Sequence, residues 1–170
     1  DVYKRQGKYK GTLTVTGKNA SPMELQIEVD VLNRTLPAPK DWAFHLDLWQ
    51  NPYSVARYYQ VPLWSKEHFD AMRPIMKMLA NAGQRAITTS IMHKPWAGQT
   101  EDHFDSMITR IKKIDGTWAY DYAVFDKWVE FMMNEIGIDD MISCYTMIPW
   151  ALSFDYYDEA TNRVQFLNTK

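Results

Sequence analysis

The chain has 170 residues, 46% hydrophobic and 14% aromatic, which is enough apolar material for the core of one ordinary domain. A formal charge of -2 with a pI near 6.1 supplies no basic field for a phosphate backbone, and the apolar runs fall well short of the ~20 residues of a membrane helix. The single cysteine, Cys144, excludes an internal disulfide and has no CxxC partner for zinc; its apolar neighbours predict a buried structural thiol.

The opening hexapeptide "DVYKRQ", residues 1–6, has no apolar period, no capping residue and no initiating Met. One back-translation, GAT GTG TAT AAG AGA CAG, resembles the transposase adapter used to prepare sequencing libraries. The hexapeptide is therefore read as a non-native scar, and the frame is expected to begin where a DNA fragment was cut. From Gly7 to Asn33 the pattern is strand, turn, strand, with "GKNASP" as the turn and Leu25, Ile27, Val29 and Val31 alternating with Gln26, Glu28 and Asp30. Such alternation predicts one buried and one wet face, as in a sandwich sheet. Two strands do not stand alone, so residues 7–38 read as the last strands of a β-sandwich whose partners lie upstream. "TLPAPKD" reads as a linker.

Residues 39–170 change to strand alternating with helix. "WAFHLDLWQ" is predicted as a strand with Phe44, Leu46 and Leu48 on one face and His45, Asp47 and Trp49 on the other; "NPYSVARYYQVPLW" reads as a loop. Ser65 is placed to cap a helix running to about Ala82, with Phe69, Met72, Met76 and Leu79 inward, Gly83 as its stop, and Pro74 as a kink or a later start. "AITTSIM" is a second strand, and "MITRIKKIDGTWAYDY" is a hairpin marked by Asp-Gly. A helix from about Ala123 to Ile136 directs Phe125, Trp128, Val129, Met132 and Ile136 inward and stops at Gly137. "MISCYTMIPW" is a third strand, and the tail is a hairpin turning near Ala160 to Asn162.

The β-α-β-α-β order predicts parallel pairing in an α/β domain. A complete (β/α)8 barrel takes roughly 250 residues. The expectation is thus an incomplete TIM-like barrel of about three β/α units, with the chain ending as arbitrarily as it begins.

Loops after the strand C-termini build the active sites of such folds. This selects His45, Asp47 and Trp49 from the first strand, His93 and Trp96 after the second, and Tyr145 and Trp150 on the third as candidate substrate-binding residues. Together they describe a cleft that hydrogen-bonds hydroxyls and stacks on a flat apolar face, as a pyranose presents. Alternatives stay open. His45 and Asp47 also read as a buried hydrogen-bonded pair, or with His93 as metal ligands, although no tight ligand spacing supports metal. Trp49, Trp96 and Trp150 also read as core, while Trp42, Trp64, Trp118 and Trp128 read as structural or peripheral. A glycosidase needs two acid or base groups, usually carboxylates. Asp158-Glu159 is rejected as a solvated turn, and Asp139-Asp140 as lying at a strand's N-terminal side. No G-x-S-x-G, P-loop, GxGxxG or HExxH is present.

The stretch "WAFHLDLWQNPYSVARYYQVPLWSKEHF", followed by "ITTSIMHKPW", "DGTWAYDYAVFDKWVEF", "CYTMIPW" and "FDYYDEATNRV", resembles glycoside hydrolase family 123. The resemblance implies a β-sandwich ahead of a (β/α)8 barrel, no cofactor, and a β-N-acetylgalactosaminidase acting on a terminal N-acetylhexosamine. It also implies a retaining, substrate-assisted mechanism, with an Asp orienting the 2-acetamido group and the adjacent Glu protonating the leaving oxygen. That pair is expected beyond Lys170, so this chain is expected to hold part of the sugar pocket, no catalytic residue and no hydrolase activity. Export to the periplasm, cell surface or medium is the family expectation. A non-catalytic carbohydrate-binding protein on a degenerate barrel is the alternative, and a purely structural α/β domain the third reading.

Overall fold

The computed structural model describes residues 5–145, 150 and 152–168. The chain divides into two units, Asp1–Ala38 and Pro39–Lys170. In the first, β1 (Gly7–Gly17) and β2 (Ala20–Val31) form an antiparallel hairpin over a tight turn at Lys18 and Asn19. Its register sets Leu13 against Leu25, Val15 against Met23 and Tyr9 against Val29, one apolar face. The buried face expected from this alternation is not buried. Leu13, Val15, Leu25, Ile27 and Val29 all remain exposed, because a two-stranded ribbon has no layer of its own to pack on.

The second unit is a mixed α/β body. The segment read as its first strand is not a laddered strand: only Leu46 forms a parallel bridge, to Gln84. Two glutamine side chains take the place of the ladder. The Gln84 amide oxygen accepts from Leu48 N at 2.8 Å. Gln50 accepts from Thr88 N at 2.8 Å, while its own backbone N–H donates to Thr88 Oγ1 at 3.2 Å and its side-chain amide donates to Leu48 O and Ala86 O. Arg85 N donates directly to Leu46 O at 3.1 Å, and beyond that bond the two glutamine side chains satisfy the backbone groups.

The predicted loop after it contains a helix, α1 (Pro52–Tyr59), started by Asn51, whose side chain accepts from Ser54 N, with Pro52 in the first turn. Next, α2 (Lys66–Asn81) begins at the Ser65 cap as expected and continues unbroken through Pro74, so Pro74 marks no later start. Gly83 follows with φ of +90°, a left-handed conformation open to glycine. The strand β3 (Ala86–Ser90) is buried along its whole length. A hairpin of β4 (Thr109–Lys112) and β5 (Trp118–Asp121) comes next, then α3 (Ala123–Glu130), which passes into a single wide π-helical turn at Phe131–Ile136. Gly137, φ +89°, ends it, its N–H donating to Met132 O at 3.0 Å. β6 (Met141–Tyr145) lies parallel to β3 along all five positions.

The final hairpin, β7 (Ser153–Asp158) and β8 (Arg163–Asn168), does not stand apart. Ile111 pairs with Tyr157 and Lys112 with Asp158, so the two hairpins merge into one sheet in the order β5-β4-β7-β8. Between α2, α3 and β3 lies the core: Phe69, Met72, Met76, Ile87, Trp128, Phe131, Met132 and Ile136. Trp128 is fully buried, and its indole N–H donates to Thr88 O at 3.0 Å. Phe125 is only half-buried, whereas Phe131, absent from the predicted inward set, is buried three positions after Trp128, with the two ring centres 6.0 Å apart.

Cys144 is a correction as well. It is exposed, as are Met141 and Ile142, since among the described residues β6 pairs along one edge only. The Thr89 hydroxyl donates to its Sγ at 3.3 Å.

Candidate functional site

The parallel strands bring three of the selected aromatic side chains together. Trp49 lies within the Gln-bridged segment, Tyr145 ends β6, and Trp96 sits in the loop after β3, where Lys94 and Ala97 take positive φ and Lys94 N donates to Phe104 O at 2.8 Å. The Trp49 and Trp96 rings stack, centroids 5.0 Å apart and planes 23° from parallel. Tyr145 meets both, at 5.1 Å from Trp49 and 4.8 Å from Trp96. Beneath, Phe104 props Trp96 edge-on at 4.7 Å and Tyr53 backs Phe104 at 5.5 Å. Trp96 is only 7% exposed while Trp49 is 57% exposed, so the stack has an anchored ring and an open one. Such an arrangement suits a ligand with one flat apolar face.

Asp47 supplies a charge to this cluster. The Tyr145 hydroxyl is pushed above the usual tyrosine range, first by burial and then by the Asp47 carboxylate, against a hydrogen bond from the Trp49 indole. Tyr145 thus stays neutral, with the charge of Asp47 acting on its hydroxyl. His45 and Asp47 are both exposed and are not hydrogen-bonded to each other, which removes the reading of a buried pair. Among the described residues no three His, Cys, Asp or Glu side chains converge as a metal cage.

His93 is held apart from the stack. Its Nδ1 lies 3.3 Å from Asp105 Oδ1, and its ring packs against Phe166 at 5.5 Å. The backbone oxygen of Asp105 accepts from both Tyr53 OH (2.8 Å) and Ser90 Oγ (2.6 Å), fixing this loop to β3 and α1. Burial drives the Tyr53 hydroxyl far above its ordinary pKa. Asp155 Oδ1 is buried without a hydrogen-bond partner among the described residues, and its charge also reaches Tyr53. Trp150 has an exposed ring; its backbone N–H donates to Pro95 O at 3.1 Å, beside Trp96. Four residues of the predicted third strand, 146–149, lie outside the described residues.

The rejected carboxylates have other occupations. Glu159 pairs with Lys113 at 2.7 Å and Asp158 accepts from Ala160 N at 3.1 Å; both are half-buried rather than at a solvated tip. Asp140 pairs with Arg85 at 2.9 Å. A larger hollow, about 480 Å³, lies between α2 and the wide turn, lined by Trp64, Phe69, Arg73 and Phe131 among others. Arg73 is committed there to Asp70 and Glu135, and apart from Trp64 the hollow is lined by residues of α2, α3 and the wide turn, none of them a selected strand-end residue, so the candidate site is the aromatic stack.

Phe104, Asp105 and Asp155 were not singled out from sequence. Phe104 and Asp105 occupy a loop with no periodicity, and the polar Asp155 is hidden inside an otherwise β-prone hairpin.

Residues 49–170 match the catalytic-domain model of glycoside hydrolase 123. A family 123 glycoside hydrolase from Clostridium perfringens, whose structure was analysed for the details of glycolipid glycan hydrolysis, superposes with a TM-score of 0.77 at 32% identity over 98% of this chain. This chain spans 30% of that protein. No protein of curated function matches. The family match runs through Trp49, Trp96 and Tyr145 alike, the residues that form the stack, and a solved member follows the backbone almost from end to end: the chain belongs to glycoside hydrolase family 123.

Proposed function

We propose that this chain forms the sugar-binding part of a glycoside hydrolase that removes β-linked N-acetylgalactosamine, or a related N-acetylhexosamine, with retention. The observation that carries the proposal is the stack of Trp49 and Trp96 with Tyr145 across its end, near enough to Asp47 for that charge to act on the tyrosine hydroxyl. The open Trp49 face takes the apolar side of a pyranose, while Asp47 and Tyr145 address its hydroxyls. In this reading the 2-acetamido carbonyl attacks the anomeric carbon, a carboxylate orients the acetamido group, and an adjacent carboxylic acid protonates the leaving oxygen, a task that needs a raised pKa. The pair lies beyond Lys170. The engagement of Asp158 by a backbone N–H and of Glu159 by Lys113 supports that placement. The same proposal reads the parallel strands as the first units of a (β/α)8 barrel, β1 and β2 as the last strands of a sandwich, and the whole protein as exported.

The test uses the 170-residue chain. N-acetylgalactosamine is expected to change its Trp fluorescence, and an aryl β-N-acetylgalactosaminide is expected to remain uncleaved. Turnover abolished by substitution of Asp158 and Glu159 would place the catalytic pair inside the chain and refute this assignment.

A further inference from the structure

The four-stranded sheet carries a second aromatic surface that the stack does not use. Register puts Arg110 opposite Tyr120 and Lys112 opposite Trp118, while the pairing of Lys112 with Asp158 brings Phe154 and Tyr156 onto the same side. The rings meet there: Trp118 contacts Tyr156 at 5.3 Å and Phe154 at 6.4 Å. Trp118 is 41% exposed and Tyr120 53% exposed. Large aromatics presented to water on a sheet face are costly unless something covers them.

Between them is a hollow of about 140 Å³, lined by Arg110, Trp118, Tyr120 and Phe154. It falls below the roughly 300–1,000 Å³ of drug-sized sites, which limits its ligand to about one ring. Its charge is one-sided. Arg110 lies 5.6 Å from the centre of the Phe154 ring, held by hydrogen bonds to Ser106 Oγ and Ile91 O, so a guanidinium is fixed in place before any ligand arrives. Lys112 and, through the pairing of Asp158 with Arg163, a third cation share this face with the single carboxylate of Asp158. Asp158 is itself engaged by Ala160 N. Rings that stack beneath a flat apolar surface, next to an excess of positive charge of which Arg110 is held in place, fit a sugar that carries an acid group.

We propose that this face is a separate glycan-binding platform that takes one carboxylate-bearing pyranose, stacking it on Trp118 and Tyr120 and drawing its acid toward Arg110 and Lys112. It reverses the peripheral role that the sequence suggests for Trp118.

The probe is methyl β-D-glucuronide, with methyl β-D-glucopyranoside as the neutral comparator, titrated into the isotope-labelled 170-residue chain by NMR. Glucuronide is expected to shift the Trp118 indole resonances in the unmodified chain, to bind at least tenfold more weakly to Trp118→Ala and to Tyr120→Ala, and to weaken with added salt. Trp49→Ala is expected to leave this binding within twofold. The platform is overturned by an absence of Trp118 shifts, by unchanged affinity in both folded variants, or by loss in Trp49→Ala alone, which would assign the sugar to the stack. Equal affinity for the neutral glucoside overturns the charge assignment.

Discussion

Trp49 lies on Trp96 with their ring centres 5.0 Å apart, although one belongs to the segment bridged by glutamines and the other to the loop after β3. Their unequal burial separates two kinds of effect. Trp49→Ala is expected to change stability by less than about 1 kcal/mol and to weaken N-acetylgalactosamine binding at least tenfold, as truncating a hot-spot aromatic does. Trp96→Ala removes a ring wedged on Phe104 and is expected to cost about 3–5 kcal/mol of folding. Isothermal titration beside urea unfolding reads both, and unaltered sugar affinity in Trp49→Ala would argue against the stack as the site.

Gln50 tests the side-chain bridges. Gln50→Leu keeps the size but leaves the buried Thr88 N–H without its 2.8 Å acceptor. The expected cost is about 1–3 kcal/mol, with faster amide exchange at Thr88. If exchange there is unchanged, some other contact holds the segment in place.

His68 sets a pH dependence. It is fully buried, its Nδ1 accepting from Trp64 N at 3.0 Å and its Nε2 donating to Pro52 O at 2.8 Å, the pattern of a neutral ring. Burial lowers its pKa, and the Pro52 bond only partly opposes this. The unfolded chain therefore takes up a proton near pH 6.5 before the folded one does, so the contribution is whole above about 6.5 and is lost as pH falls through the folded value. Urea midpoints at pH 7.5 and 5.5 should differ, and less so in His68→Gln. An NMR titration showing His68 protonated at or above pH 6.5 would contradict this.

Trp128 is both core and hydrogen-bond donor. Trp128→Ala is expected to cost about 3–5 kcal/mol. Trp128→Phe retains most of the volume but strands Thr88 O, for about 1–3 kcal/mol. A phenylalanine variant of native stability would mean that the carbonyl finds another donor.

The elements legible in the sequence were those with a local physical signal. Ser65 three residues before His68, the Phe69, Met72 and Met76 spacing, and the glycines 83 and 137 fixed two helices because caps and stops act within a turn. Asp115-Gly116 marked its hairpin for the same reason. Asn51-Pro52 was an equally good start signal, but α1 spans only Pro52–Tyr59, too short to show a clear period beside its aromatic residues. Long-range substitutions left no trace: nothing in "WAFHLDLWQ" announces that Gln50 and Gln84 replace a ladder. The meeting of Trp49, Trp96 and Tyr145 followed from the strand-end rule, whereas Asp105 and Asp155 depend on loop paths that carry no pattern. Cys144 looked internal because its neighbours are apolar, yet strand β6 leaves that apolar side uncovered.

The wide turn at Phe131–Ile136 has a consequence for how the sequence can drift. Phe131 and Ile136, five positions apart, share the inward face because the turn closes from Met132 O to Gly137 N rather than one residue earlier. Met133 and Asn134 bulge outward and are exposed. Excision of either would bring the two inward residues to the four-residue spacing of a regular helix, so a single-residue gap, ruinous in α2, is absorbed here. A regular helical period read from Ala123 to Gly137 still finds Trp128, Val129, Met132 and Ile136, and what it misses is Phe131, the extra buried residue that the wide turn lets share a face with Ile136.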